Sequence, residues 1–393
     1  MQGTRFAALT VWALGLLAPL QAWAMPGFAR KYSPNTSLFT FMPCQSCHAT
    51  YPKLTPFGRE YKENGYRIVG EPASWKDALR MYPMALRSSL VNINLGPGND
   101  RFTFGQFKPI AAASLGTRFS FWVDRVLVAD ADGLKDAGTQ NAWLRVNDLA
   151  GRSRPNFLNL KIGKFELDLP FPQTRSYNLF PYEPYYVQTG VEGWALAAPE
   201  RGIELSGVPG KGIRYSLAVV DGANSTAGRE NDFDGDLYLR LSKTFDVVQR
   251  GGFFLYRGQN TLSDESGSLP FQDDLTRVGA DLDLYLLRGR ANVYGLYLWG
   301  RNGNSIGADV TSPERDFQGG FIQLDGTATR WLTLVGRYTR LRLEPTPSLI
   351  ETRQSFALGA QGWFRERLKI AFEYRFQDQG RPDWGVFTVD FVI

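Results

Sequence analysis

From about Met84 to the C-terminus, apolar and polar residues alternate with period two. Leu237, Leu239 and Leu241 fall on one side of such a segment, Tyr238 and Arg240 on the other. Leu282, Leu284 and Leu286 oppose Asp281 and Asp283. Ile370, Phe372, Tyr374 and Phe376 oppose Glu373, Arg375 and Gln377. Successive side chains of a strand point to opposite faces, so each segment makes a strand with one greasy and one wet side. The segments run to roughly ten residues, the length a tilted strand needs to cross a bilayer. Their connections alternate in length. Short ones fall near residues 207–210, 247–251, 288–290, 326–330 and 365–367, long ones near 130–140, 169–190, 221–232, 258–271 and 301–315. Short turns at one end and long loops at the other belong to a membrane barrel. The pattern predicts an all-β fold: a transmembrane antiparallel β-barrel of about 16 strands over residues 81–393.

An even strand count puts both ends of the barrel on the periplasmic side. The last strand, 386–393, turns Phe387, Val389, Phe391 and Ile393 to one side. It resembles the C-terminal assembly signal of outer-membrane proteins, with Ile where the terminal aromatic usually stands. The first residues agree with export. Arg5 precedes an apolar stretch from about Phe6 to Leu20, and Ala22-Trp23-Ala24 is a small-x-small cleavage site. Residues 1–24 therefore read as a signal peptide, and the run is too short for a transmembrane anchor. No later stretch approaches the ~20 apolar residues of a spanning helix. Composition changes the picture little: 14% of residues are aromatic, 41 are Gly, and the net charge of +5 is small for 393 residues. That charge, with export, argues against nucleic acid as a partner and for outer-membrane lipid.

Residues 25–80 differ. They are Pro-rich and basic and hold both Cys residues and the single His. Cys44-Gln-Ser-Cys47-His48 is a Cys-x-x-Cys-His motif. In c-type attachment the two thiols form thioethers to the haem vinyls and the adjacent His ligates the iron. The tight spacing lets both thiols reach one porphyrin edge while His48 turns under the metal. Two other readings exist. A Cys-x-x-Cys disulfide serves redox exchange, but the surrounding βαβ pattern is absent. Zinc would find only three Cys/His ligands, too few for a closed structural site. The motif predicts one covalent haem c on Cys44 and Cys47 with His48 as proximal ligand, in a small, mostly helical or irregular domain. A single His excludes bis-His ligation within one chain. Met81, Met84, Met42, the mature amino terminus at Met25, a Lys or water remain for the sixth position, with Met81 the tentative choice. Any one Met is more often apolar packing.

The residues around the motif carry a resemblance. Pro26-Gly27-Phe28-Ala29-Arg30 precedes it, and Tyr51-Pro52-Lys53-Leu54-Thr55-Pro56-Phe57-Gly58-Arg59-Glu60-Tyr61-Lys62-Glu63-Asn64-Gly65-Tyr66 follows. This resembles the fused monohaem cytochrome–porin family of outer-membrane iron oxidases in iron-oxidising bacteria. The resemblance is detailed over about 45 residues and architectural beyond them. It departs in the link from Lys31 to Pro43, longer here than in the family. It implies Cys44 and Cys47 as attachment sites, His48 as iron ligand, extracellular Fe(II) as electron donor and a periplasmic cytochrome c as acceptor.

The expected function is thus an outer-membrane electron conduit, an Fe(II):cytochrome c oxidoreductase if the resemblance holds. Residues 25–80 are expected to enter or cap the bore from the periplasmic end. The rivals are a conduit for another extracellular donor or acceptor, a diffusion porin with an accessory haem module, and a soluble periplasmic cytochrome with a β-sandwich. Acidic groups at Asp130, Asp132, Asp232, Asp234 and Asp236 have the oxygen chemistry that attracts Fe²⁺. An ordinary solvated loop accounts better for the run from Asp232 to Asp236, and none of these residues is assigned to iron.

Overall fold

The computed structural model describes residues 47–48, 53–68, 84–95, 101–103, 106–130, 133–151, 153–171, 181–187, 194–222, 235–246, 248–263, 270–303, 314–346, 349–364, 368–378 and 380–392. Seventeen strand segments form one sheet. β1 (Met84–Leu95) pairs antiparallel with two of them. It meets β2 (Arg101–Thr103) near its end and β3 (Gln106–Leu115) near its start. β2 and β3 are therefore two pieces of one stave. From β3 each segment pairs antiparallel with the next, up to β17 (Trp384–Val392), which returns to β1. The result is a closed barrel of sixteen staves, as the alternation predicts. Closure removes the β-sandwich rival, because a sandwich keeps open edges.

The wall sorts side chains as its sequence requires. Ile203, Leu217, Leu237, Phe253, Leu282, Ile322, Leu334, Phe356 and Phe372 are exposed on the outside. Arg214, Arg240, Arg277, Gln323, Arg337 and Glu373 are buried within. A closed barrel that is apolar outside and polar inside satisfies every ladder hydrogen bond without an edge in lipid. The chain is an outer-membrane β-barrel, with its short turns gathered at one end.

Two loop expectations need correction. The strands around residues 130–140 are longer than the periodicity suggests. β4 (Phe119–Asp130) and β5 (Gly133–Val146) pair through to Asp130 and Gly133. Likewise β10 (Gln249–Ser263) and β11 (Pro270–Leu286) stay paired to Ser263 and Pro270. Ladder pairing continues past the apolar band because backbone bonding does not depend on the outward side chains. Asp236 opens β9 (Asp236–Phe245) and is buried, accepting bonds from the Tyr256 hydroxyl and the Gln259 N–H. It is a wall residue and not a loop carboxylate. Asp132, Asp232 and Asp234 lie outside the described residues.

Candidate functional site

The described part of the N-terminal segment holds one helix, α1 (Pro56–Glu63). Thr55 caps it, its hydroxyl accepting from the Gly58 N–H at 3.1 Å, and Pro56 occupies the first turn, where its missing N–H costs nothing. Asn64 ends it, with Gly65 and Tyr66 at positive φ. The helix returns onto the Cys-x-x-Cys-His motif. The Thr55 N–H donates to the Cys47 carbonyl at 2.9 Å, and His48 bridges Leu54 antiparallel. Gly58 lies so close to Cys47 that a Cβ there would sit 2.1 Å from its carbonyl oxygen. Only Gly permits that approach.

This unit sits in the bore at the short-turn end. Lys53 Nζ is 2.9 Å from Asp283 Oδ1, and Arg59 Nη1 is 2.8 Å from Asp283 Oδ2. Lys53 also bonds Asn292 and lies 4.2 Å from the Tyr294 ring centroid. Glu63 pairs with Arg250, and its backbone carbonyl accepts from Arg145 at 2.7 Å. The Gly65 carbonyl accepts from the Ser120 hydroxyl at 2.6 Å. Tyr66 packs against Trp122 and Trp143, at 5.4 and 6.0 Å between centroids. Arg67 bonds Asp148 at 2.6 Å in the β5–β6 turn, ahead of β6 (Asn159–Phe165).

A second group of residues occupies another part of the bore. The connection from β6 to β7 (Glu200–Gly210), residues 166–199, folds inward among its described residues. Tyr182 stacks on Phe321 at 4.4 Å, and its hydroxyl is 3.0 Å from that of Tyr294. Phe171 lies 4.9 Å from Tyr294, and Trp194 lies 4.6 Å from Tyr256. Tyr185, Tyr238, Phe254 and Tyr256 are fully buried.

Between these two groups and the wall is a cavity of about 80 Å³. Eight basic and five acidic residues line it, among them Arg145, Arg214, Arg250, Glu63 and Asp168. Burial alone would raise the Glu63 carboxyl, but Arg250 and Arg214 outweigh it and hold it below the ordinary value. Asp168 is likewise desolvated yet held well below its ordinary range by Arg214, Arg240 and Arg250. Both carboxylates are therefore charged. Lys53 is pulled down by burial, which Asp283 partly offsets.

Of the sequence-predicted site residues, Cys47 and His48 stand together beside α1, each half-buried. Cys44, Met81, Met42 and Met25 lie outside the described residues. Met84 opens β1 and is 66% exposed. Cys47 forms no disulfide, and burial pushes its thiol up. A half-buried thiol beside a half-buried imidazole is the residue pair that covalent haem attachment needs. No cluster of three His, Cys, Asp or Glu suited to a metal occurs among the described residues.

Sequence reasoning missed the basic cluster and the inward loop. Arg214, Arg240 and Arg250 fall on wet faces and were legible as bore residues. That Arg214 and Arg250 converge on Glu63, up to 187 residues away, was not. The aromatic content of residues 166–199 was the one signal that this connection is buried.

No protein-family model matches the chain, and no curated protein does. Solved structures match in fold. OmpT of Vibrio cholerae is 12% identical with a TM-score of 0.54, over 79% of this chain and 97% of that one. An anion-selective porin from Comamonas acidovorans is 9% identical with a TM-score of 0.57, over 79% and 98%. The outer-membrane channel DcaP of Acinetobacter baumannii is 10% identical with a TM-score of 0.53, over 79% and 96%. At these identities the likeness concerns the barrel's fold alone.

Proposed function

We propose that the chain is an outer-membrane electron conduit, taking electrons from extracellular Fe(II) and delivering them to a periplasmic cytochrome c. The observation that carries this is the helix beside Cys47 and His48, seated inside a filled barrel. Cys44, Cys47 and His48 would hold one haem c, which when bound supplies a one-electron carrier. The remaining work falls to the protein. Lys53, Arg59, Glu63 and Arg67 tether the motif in the bore through charge-assisted bonds to the wall. The aromatic cluster around Tyr182 and Phe171 excludes water and ions from the same passage. A barrel sealed in this way keeps ferric product outside while electrons cross. Met81 stays our choice for the sixth ligand.

The barrel's likeness to porins favours a second reading, a diffusion porin with an accessory haem module. What supports the first over it is that described parts of residues 53–67 and 166–199 lie inside the bore. Pyridine haemochrome analysis of protein matured in a competent host, followed by stopped-flow mixing with Fe²⁺, tests the first reading. We expect one covalent haem per chain and its reduction. Covalent haem without reduction at any pH would remove iron as donor. Free sugar entry into liposomes carrying the full-length protein would instead establish the porin.

A further inference from the structure

The cavity between α1, the inward loop and the wall has a charge problem. Its lining carries eight basic against five acidic side chains. Arg240 has an outside partner, Asp281, at 3.0 Å, which still leaves cations in excess. Arg240 Nη1 makes no hydrogen bond among the described residues but faces Asp281; two further guanidinium atoms there have no such partner either: Arg214 Nη1 and Arg145 Nε. Both residues are 6% exposed. Arg214 spends its other nitrogens on Asp168, Nε at 3.1 Å and Nη2 at 3.0 Å. Arg145 Nη2 is engaged by the Glu63 carbonyl and Asn156 Oδ1. A buried donor left unsatisfied is costly, and excess buried charge is costlier. Water answers the first need and not the second.

We propose that this cavity is a binding site for one small oxyanion or carboxylate, held by Arg214 Nη1 and Arg145 Nε. About 80 Å³ accommodates an ion of that size. Guanidinium groups match the planar, paired oxygens of such ions. Two sources share the chemistry: a free anion such as phosphate, and a carboxylate of the attached haem. The second rests on the haem reading above. α1 links the two places, since Gly58 packs on Cys47 while Arg59, Lys62 and Glu63 line the cavity.

The test titrates inorganic phosphate into purified full-length protein and follows the thermal unfolding midpoint. Ionic strength is held constant with sodium chloride, whose single-atom anion lacks the paired oxygens that guanidinium groups match. A ligand that binds only the folded state raises the midpoint saturably. We expect that rise, and about tenfold weaker apparent affinity in Arg214→Gln and in Arg145→Gln. Arg201→Gln, at an exposed strand position, is expected to respond like the unaltered chain. The haem-loaded chain and a Cys44→Ala/Cys47→Ala chain separate the sources. Response in both identifies a free anion. Response only in the haem-free chain identifies the haem's own carboxylate. No saturable rise in either, or an equal rise in Arg214→Gln, would overturn the site and leave a water-filled cavity. Because the titration reads the chain with or without haem, loss of the haem reading and loss of the site are told apart.

Discussion

Two neighbouring layers inside the bore are held by opposite means. Toward the short turns the contacts are ionic. Lys53 and the α1 residues Arg59 and Glu63 meet the wall on Asp283, Arg250 and Arg214. Next to them the packing is aromatic, with Tyr182, Phe171 and Trp194 against Tyr294, Phe321 and Tyr256. Aromatic packing closes a passage with little dependence on pH or salt, because it rests on buried area. Buried ion pairs add little net stability but fix one geometry, since losing either partner strands a charge. The aromatic layer is thus suited to excluding solutes, and the ionic layer to positioning the motif that carries the chemistry.

This contrast can be broken at its strongest point first. Phe171→Ala with Tyr182→Ala removes two buried rings, each costing about 3–5 kcal/mol if taken from a packed core. We expect ion conductance to appear in planar bilayers while the N-terminal segment stays docked. A double variant as impermeable as the parent would show that the aromatic layer is not the seal. Asp283→Asn acts on the other layer. It leaves Lys53 and Arg59 without their shared carboxylate, a loss of about 3–5 kcal/mol for a broken buried pair. Here the prediction is faster proteolysis of residues 25–80 with no new conductance.

Acidification sharpens the comparison with a smaller effect. The Glu63 and Asp168 carboxyls are held below their ordinary values of 4.5 and 3.8. A depressed carboxylate contributes stability that is fully present above its unfolded pKa and lost as pH falls through the folded one. Docking should therefore be intact at neutral pH and weaken below about pH 4.5, as the Glu63 contacts protonate. The aromatic layer should not respond. Protease susceptibility and conductance measured from pH 7 to pH 3 check this, and a parallel loss of both would erase the distinction.

The barrel was legible because its wall obeys a local rule. Leu237, Tyr238, Leu239 and Arg240 alternate, and alternation alone says which side meets lipid. The Cys-x-x-Cys-His motif was legible for a similar reason, since its signal lies in five adjacent residues, while the helix beside it was expected only as part of a helical or irregular domain. Loop lengths were less so. The hairpin tips near 130 and 264 were misjudged because pairing there continues beyond any bilayer-facing pattern.

By itself, then, the sequence determined a greasy-outside barrel of about sixteen strands and one Cys-x-x-Cys-His motif, both written in spacings of a few residues. The tertiary structure alone decided what the bore contains. Asp283 meeting Lys53, 230 residues away, and Arg214 meeting Glu63 follow from closing the ring. The physical reason is that a period-two pattern says a side chain faces inward, but the chain's closure chooses what it finds there.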